Sequence, residues 1–410
     1  MGHHKHLQIG LECIRRNQDL RRTTTHQQRT PTQKSSRKHH PITKPAEMAP
    51  RHHRDVPDNK LNSWFPNTQS PVIISAPMLG AANGALAAAV SKAGGLGFIP
   101  GGLDFAPGSA QLAALADELT TARRLFGLAD RTLTPLPVGV GFILSHASLV
   151  HFEETAIPLL QDHSPQAVWL FAPHPEHVVS GLVGRIVAAL KNSGFIVVFQ
   201  VGNVASARRA ALDGADIIVA QGADAGGHQF AGGAGIVSLV PEVVSMLERE
   251  FAGRGIVVAA AGGIVDGRGV AAALALGAEA VVMGTRFLIA PEASTAEFQR
   301  KLVIETEDGG PSTSKSSVHD DLHGVRANWP SPYDGRAIIG EPWRDHLKGV
   351  PLEENIKKNQ EAKAAGDVTR LVTWAGTGVG LVKDAIPAGD TVREVREAAQ
   401  QRIRHLQTLF

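Results

Sequence analysis

The chain has 410 residues, of which 43% are hydrophobic, 5% are aromatic and 43 are glycine. This is enough apolar sequence for one large core or two domains, and its low aromatic content is typical of α/β proteins. The first 60 residues carry 13 Lys and Arg against 5 Asp and Glu, which leaves 28 against 34 for the rest. The body is therefore mildly acidic, and its charge argues against a nucleic-acid partner.

The single cysteine, Cys13, excludes an intrachain disulfide and a cysteine metal cluster or nucleophile in the body of the chain. We predict no metal site. The sequence has no apolar run of about 18 residues, so we expect no membrane span. These features favour a cytoplasmic protein. A mitochondrial location is the alternative, because Arg-rich, acid-poor N-termini also occur in presequences.

Residues 1–60 are polar and lack apolar periodicity, so we interpret them as a disordered basic tail. Their histidine clusters are interpreted as solvated groups. Met48 is a plausible alternative start, which would make the first 47 residues an extension of the gene model.

From Val72 onward, short apolar strands alternate with Ala- and Leu-rich helical stretches, which predicts repeated βα units. Eight strands over about 220 residues favour a (β/α)₈ TIM barrel, with a doubly wound open sheet as the alternative. We expect strands at 72–76, 97–99, 137–141, 167–171, 195–200, 216–220, 256–260 and 280–283. The intervening helices are predicted at 84–93, 109–125, 147–161, 176–191, 203–213, 238–250 and 266–276.

The barrel pattern is predicted over 61–290 and stops near residue 290. Residues 305–345 are rich in Gly, Pro and Ser and contain Trp329, Tyr333 and Trp343. We interpret 291–388 as a helical cap beside the barrel mouth and 389–410 as a C-terminal helix that closes the barrel.

The first predicted strand ends in Ala76-Pro77-Met78. Its fixed, donor-poor backbone and soft thioether are suited to lie against a planar ring system. Alternatively, Met78 only fills a gap in the core.

The sixth predicted strand ends in Gln221-Gly-Ala-Asp-Ala-Gly-Gly-His228. Glycines allow a ligand to approach the backbone, and an unperturbed histidine titrates near neutral pH. We predict an acid–base role for His228 in this loop, against the alternative of a histidine satisfied by backbone or water. Asp224 is a candidate orienting partner, or it faces solvent. The other histidines of the body are interpreted as solvated: His146, His151, His163, His174, His177, His319, His323 and His346.

Two further glycine turns follow the last two predicted strands, Gly262-Gly263-Ile264 and Met283-Gly284-Thr285. The corresponding loops of a barrel are the usual phosphate site, where backbone N–H groups face the anion. Thr285 adds a hydroxyl donor. The alternative is two tight turns that need glycine only for their backbone conformation.

Five motifs together closely resemble the nitronate monooxygenase family, formerly called 2-nitropropane dioxygenases. They are Ala76-Pro77-Met78, Ala93-Gly-Gly-Leu-Gly97, Gln221 to His228, Ala261-Gly262-Gly263-Ile264 and Gly284-Thr285-Arg286-Phe287. The resemblance covers about 70–290, and the stretch from Trp374 to Leu381 also looks like the family.

The resemblance implies an FMN-dependent enzyme that oxidises alkyl nitronates, and by extension nitroalkanes, with O₂ to carbonyl compounds and nitrite. His228 would be the catalytic base, removing a proton or anchoring the nitronate. The implied FMN-binding residues are Ala76, Pro77, Met78, Gln221, Gly226, Gly262, Gly263, Met283, Gly284 and Thr285. A homodimer is expected as a possible assembly. One departure from the family is Gly141, where many members end the third strand with an asparagine.

The resemblance also leaves alternatives. The first is an NAD(P)H-dependent FMN reductase of the same superfamily, acting on enoyl thioesters or quinones. IMP dehydrogenase-like barrels share the glycine pattern but need a loop cysteine, which this chain lacks. A non-catalytic flavin- or phosphate-binding protein is the third alternative, and the His228 motif argues against it.

Overall fold

The central feature of the fold is a cylinder of eight parallel strands. The computed structural model describes residues 60–128 and 134–409. The predicted tail, with Cys13, Met48 and the histidine clusters, lies outside these described residues. Within them, no helix is long and apolar enough to cross a membrane.

The described part of the chain contains eleven strands. In chain order they are β1 (Val72–Ser75), β2 (Phe98–Gly102), β3 (Leu136–Ile143), β4 (Pro165–Phe171), β5 (Ile196–Val201), β6 (Ile217–Gln221), β7 (Gly227–Phe230), β8 (Val257–Ala261), β9 (Ala280–Met283), β10 (Thr313–Ser316) and β11 (Tyr333–Ile338).

The same part of the chain contains sixteen α-helices. They are α1 (Lys60–Trp64), α2 (Gly84–Lys92), α3 (Ala110–Leu125), α4 (Phe152–His163), α5 (Pro175–Val179), α6 (Leu182–Asn192), α7 (Val204–Asp213), α8 (Ile236–Glu250), α9 (Gly267–Ala275), α10 (Thr285–Leu288), α11 (Glu297–Glu305), α12 (Gly309–Ser312), α13 (Val318–His323), α14 (Glu341–Leu347), α15 (Leu352–Ala364) and α16 (Ala388–Gln407). Short 3₁₀ helices cover Ala147–His151, Arg326–Asn328, Val368–Arg370 and Thr377–Leu381.

The barrel sheet has the order β1-β9-β8-β6-β5-β4-β3-β2, with every pair parallel. The seam between the first two strands is joined by a bridge from Ile74 to Leu96, whose amide donates to Ile73 O at 2.9 Å. The sheet therefore closes on itself. This confirms the predicted (β/α)₈ class over the open doubly wound alternative.

The barrel has two apolar layers, because successive residues of a strand face opposite sides of the sheet. Ile73 and Val281 pack outward against the surrounding helices. Val72 and Ala280 point into the barrel interior, where Leu61 and Phe65 join them. Since Leu61 lies on α1, that helix contributes to the interior core.

Residues between α10 and α16 form an insertion in the last βα unit. The first part of α16 packs on α9, α2 and β1, so this helix completes the outer ring that surrounds the strands. The insertion carries α11 to α15 and strands β10 and β11. These two strands form an antiparallel sheet with β7, in the order β10-β11-β7.

The structure corrects several predicted elements. The segment after Gln221 is not only a loop, because Gly227–Phe230 forms β7 and pairs with β11. The helix predicted at 176–191 is two helices separated at Gly181, which has a φ of 73°. The helix predicted at 147–161 begins as a 3₁₀ turn. The third strand ends at Ile143 rather than 141.

Candidate active site

A cavity of about 460 Å³ opens among the loops that follow the barrel strands. Parallel barrel strands deliver all their following loops to one face, which is where such folds carry their sites. The cavity is lined by His228 and by nine of the ten residues predicted to bind a cofactor: Ala76, Pro77, Met78, Gln221, Gly226, Gly262, Gly263, Gly284 and Thr285.

Met283 is the predicted binding residue that the structure places elsewhere. Its side chain is fully buried and packs in the layer between strands and helices. Its carbonyl accepts a hydrogen bond from Ala76 N at 3.0 Å. The alternation of strand side chains explains this, because the neighbouring Val282 is the one that lines the cavity. Met283 therefore supports the strand rather than the cavity wall.

The backbone of the glycine turn after β8 forms part of the cavity wall. Gly262 and Gly263 have φ values of 107° and 73°, a region that favours glycine. A Cβ on Gly262 would lie 2.7 Å from Gly222 O in the loop after β6. Close packing of the two loops therefore requires glycine here, as well as the backbone conformation.

The first strand's exit lies against the turn after β9. A Cβ on Gly284 would stand 3.6 Å from Met78 Sδ and 3.8 Å from Ala76 Cβ. The ring of Pro77 occupies the space beside Gly141, where a Cβ would lie 2.4 Å from Pro77 Cγ. Gly141 is thus fixed by packing against Pro77, which explains why no asparagine stands at this point of the third strand.

Gln221 is the last residue of β6, and its side-chain amide is hydrogen-bonded only through the nitrogen within the described residues. Its Nε2 donates to His228 O at 3.2 Å, whereas its buried Oε1 has no hydrogen-bond partner among the described residues. Unpaired buried acceptors are uncommon and costly. Because Gln221 lines the cavity, this oxygen is an acceptor available to a bound ligand.

His228 lies on β7, opposite Gly335 of β11, and its side chain is 11% exposed. The imidazole stacks flat on the Trp329 indole, with ring centroids 3.5 Å apart and planes within 5°. Trp374 lies on another side at 4.7 Å. Both tryptophans come from the insertion, so the insertion fixes the plane of the histidine ring.

Asp320 is the hydrogen-bond partner of His228. The His228 Nε2 atom lies 2.7 Å from Asp320 Oδ1, and the carboxylate is fully buried. Asp320 lies in the first turn of α13, within the insertion. Sequence reasoning missed it, because 92 residues separate the two side chains and no spacing pattern links them.

Asp224, the partner expected for His228, is hydrogen-bonded to Thr377 instead. Its Oδ1 accepts a hydrogen bond from Thr377 Oγ1 at 3.1 Å, and its carbonyl accepts from Thr377 N at 3.0 Å. Asp224 thereby ties the loop after β6 to the 3₁₀ turn that follows Trp374. The expectation that it orients His228 is wrong.

Two histidines interpreted as solvated are shielded from water, because His319 is buried and His323 is half-buried. His319 is 3% exposed, stacks on Trp343 and bonds through Nε2 to Ser314 Oγ at 2.9 Å. Burial lowers the pKa of His319 to about 4. Burial also lowers the pKa of His323, which lines the cavity. Both lie on α13, whose tertiary packing the sequence pattern does not reveal.

The hydroxyl of Thr285 joins the barrel to the insertion. Thr285 Oγ1 accepts a hydrogen bond from Gly376 N at 3.0 Å, which leaves its O–H free to donate into the cavity it lines. Among the residues that the structure describes, those that line the cavity include no Asp, Glu, Lys or Arg. An anion bound here would therefore meet backbone amides and hydroxyls rather than charged side chains.

Known proteins match almost the whole described chain. The family model described as nitronate monooxygenase matches residues 65–397. A protein of Neurospora crassa named nitronate monooxygenase is 59% identical over 356 residues, covering 85% of this chain and 94% of that protein.

Two solved structures share the fold. FabK from Thermotoga maritima matches with a TM-score of 0.65 at 24% identity, covering 86% of this chain and 99% of that one. A nitroalkane oxidase from Streptomyces ansochromogenes matches with a TM-score of 0.63 at 23% identity, covering 85% and 99%. At these identities the two structures establish the barrel architecture alone.

Proposed function

Because the chain belongs to the nitronate monooxygenase family, we propose that it is an FMN-dependent monooxygenase of alkyl nitronates. The reaction consumes O₂ and yields a carbonyl compound and nitrite. The observation that carries the proposal is the position of His228, which faces the same cavity as the two glycine turns after β8 and β9. An acid–base group beside turns suited to a phosphate-bearing cofactor supports the proposal.

The residues of the cavity fit a flavin mononucleotide. The volume of about 460 Å³ lies within the usual range for small-molecule sites, roughly 300–1,000 Å³. The turns at Gly263 and Gly284 would hold the phosphate with backbone amides, and Thr285 would add its hydroxyl. Gln221 offers its unpaired Oε1 to a donor on the ring. Ala76, Pro77 and Met78 would support the ring, and the backbone of Gly226 and Gly262 would line its site.

The side chains around His228 set the environment in which its imidazole would meet the substrate. Trp329 and Trp374 cover the imidazole on two sides, and the lower local polarity would strengthen its interaction with an anionic nitronate. A neutral imidazole accepts a proton from a nitroalkane, and an imidazolium holds the nitronate that results. When bound, FMN supplies the redox chemistry that links the nitronate to O₂.

A reductase function is not favoured. The same barrel architecture occurs in FabK and in a nitroalkane oxidase, so the fold does not discriminate between activities. The relative at 59% identity does, since it carries the nitronate monooxygenase name over most of both chains. A homodimer and a cytoplasmic location stay predictions.

The test is an absorbance spectrum of the purified protein, followed by nitrite release from ethyl nitronate under air. We expect a flavin spectrum, FMN in the released cofactor and nitrite production that needs O₂. Anaerobic mixing with NADH or NADPH is the comparison, and we expect the flavin to stay oxidised for many turnover times. Rapid bleaching by a nicotinamide without nitrite release would contradict the proposal in favour of the reductase.

A further inference from the structure

Asp320 is a carboxylate placed where solvent cannot reach it. Its side chain is 0% exposed, and its Oδ2 has no hydrogen-bond partner among the described residues. The nearest cation to this oxygen is Arg326, whose Nη1 lies 3.9 Å away and whose own hydrogen bonds go to the Trp329 and Tyr333 carbonyls. A buried carboxylate is strongly unfavourable unless it is paired, and His228 is the group hydrogen-bonded to it.

The hydrogen bond between the two side chains decides which nitrogen of His228 is free. Nε2 must carry the proton to donate to Asp320 Oδ1 at 2.7 Å, because a carboxylate only accepts. A neutral imidazole has one N–H, so Nδ1 is then the acceptor. Nδ1 makes no hydrogen bond with the described part of the chain. The stack on Trp329 holds the plane of the ring, and the hydrogen bond to Asp320 selects between its two flipped orientations.

We propose that Asp320 is a positioning residue that makes Nδ1 of His228 the proton acceptor and stabilises the imidazolium formed when a neutral nitroalkane is deprotonated. The inference rests on the proposed function and extends it to neutral nitroalkanes. In this step the C–H bond beside the nitro group breaks and an N–H bond forms at Nδ1. The electron pair of the C–H bond moves into the nitro group, giving the nitronate.

A preformed nitronate has already lost that proton, so it does not need the step. Asp320 should therefore matter for a nitroalkane far more than for its nitronate. A residue that only supported the fold would affect both substrates alike. This difference separates a positioning role from a structural one.

The charges around the pair are those of α13 and the following turn. His319, His323 and Arg326 are the titratable or charged groups nearest the carboxylate. Burial lowers the pKa of both histidines, so both are neutral at pH 7. The Asp320 carboxylate is therefore the counter-charge within hydrogen-bond distance of an imidazolium at His228.

The experiment uses the flavin-loaded full chain and compares nitroethane with ethyl nitronate. For Asp320→Asn we expect kcat/KM on nitroethane to fall about 10²-fold, the scale of a lost proton-transfer contribution, with ethyl nitronate within about threefold of wild type. The deuterium isotope effect with 1,1-dideuteronitroethane should rise. The acid limb of its pH profile should move to lower pH, because the imidazolium has lost its counter-charge.

Asp321→Asn is the matched control, since Asp321 is the next residue on α13. It is not among the described residues that line the cavity, and the hydrogen bond to His228 comes from Asp320. Both substrates should stay within about twofold of wild type in this variant. Equal losses on both substrates in Asp320→Asn would overturn the positioning role, as would an unchanged nitroethane rate. A wild-type enzyme without activity on ethyl nitronate would instead contradict the proposed function itself.

A second measurement does not depend on whether the Asp320→Asn variant folds. Nitrogen-15 NMR of the wild-type holoenzyme above pH 8, with His228→Asn used to assign the signal, reports which ring nitrogen carries the proton. We expect the Nε2–H tautomer for His228. The Nδ1–H tautomer would overturn the proposal.

Discussion

The barrel wall and the inserted segment between α10 and α16 contribute to the site in different ways. The barrel contributes the glycine turns at Gly263 and Gly284, which line the cavity with backbone, together with side chains such as Gln221. The insertion presents side chains, with Trp329, Trp374 and Asp320 in contact with His228. The proposed cofactor contacts and the side chains around the proposed base thus come from different parts of one chain, and the four predictions below test that separation.

The largest effect is expected for His228→Asn. Loss of the base should lower turnover of neutral nitroalkanes by about 10²-fold or more while FMN stays bound, because the glycine turns do not depend on the imidazole. Stopped nitrite assays and the flavin absorbance measure both properties. The control is His151→Asn, whose side chain is 41% exposed and does not line the cavity. Near-wild-type activity in His228→Asn would end the assignment of the base.

Gly226→Ala tests the junction of the two regions. A Cβ there would lie 2.4 Å from the carbonyl carbon of Ala375, so the segment after Trp374 must move away from the barrel. We expect a loss of about 1–3 kcal/mol in the free energy of unfolding, with weaker FMN retention. Gly232→Ala is the control, because nothing lies within 4 Å of its added methyl group. Equal stability of the two variants by urea denaturation would show that the junction is not tightly packed.

His319 should make stability depend on pH. Its pKa of about 4 lies below the unfolded value near 6.5, so between these values the unfolded state binds more protons. The free energy of unfolding should therefore fall by about 1–3 kcal/mol as the pH drops from about 6.5 to about 4.

His319→Gln should flatten this slope, and His405→Gln on the exposed side of α16 should not. Urea titrations at several pH values measure the slopes. Because burial also lowers the pKa of His323, a residual slope is expected in His319→Gln. Identical slopes in wild type and His319→Gln would contradict the prediction that His319 makes stability depend on pH.

Thr285→Val should have the smallest effect. The variant loses the hydrogen bond from Gly376 N and the hydroxyl offered to the phosphate. We expect about 1 kcal/mol less stability and FMN binding weaker by about fivefold to tenfold. Thr120→Val, whose exposed hydroxyl bonds only to Ala116 O on its own helix, is the control. Unchanged FMN affinity, measured by fluorescence titration, would remove Thr285 from the binding site.

The repeated βα rhythm made the barrel predictable, because apolar runs of strand length alternate regularly with helical periodicity. The glycine turns were also readable, since only glycine fits their backbone and contacts. Local signals failed where packing between distant elements decides. The family resemblance implied that Met283 helps to hold the FMN phosphate, but the pleat of β9 turns its side chain outward.

The sequence by itself determined the barrel, the glycine turns and the position of His228 in the segment that follows the sixth barrel strand. The tertiary structure decided the partner of that histidine, because α13 reaches it across 92 residues and no local pattern encodes such a contact. The same holds for β7, whose four residues become a strand only when β11 pairs with them. The local sequence determined the glycine turns, whereas packing between distant elements determined the environment of His228.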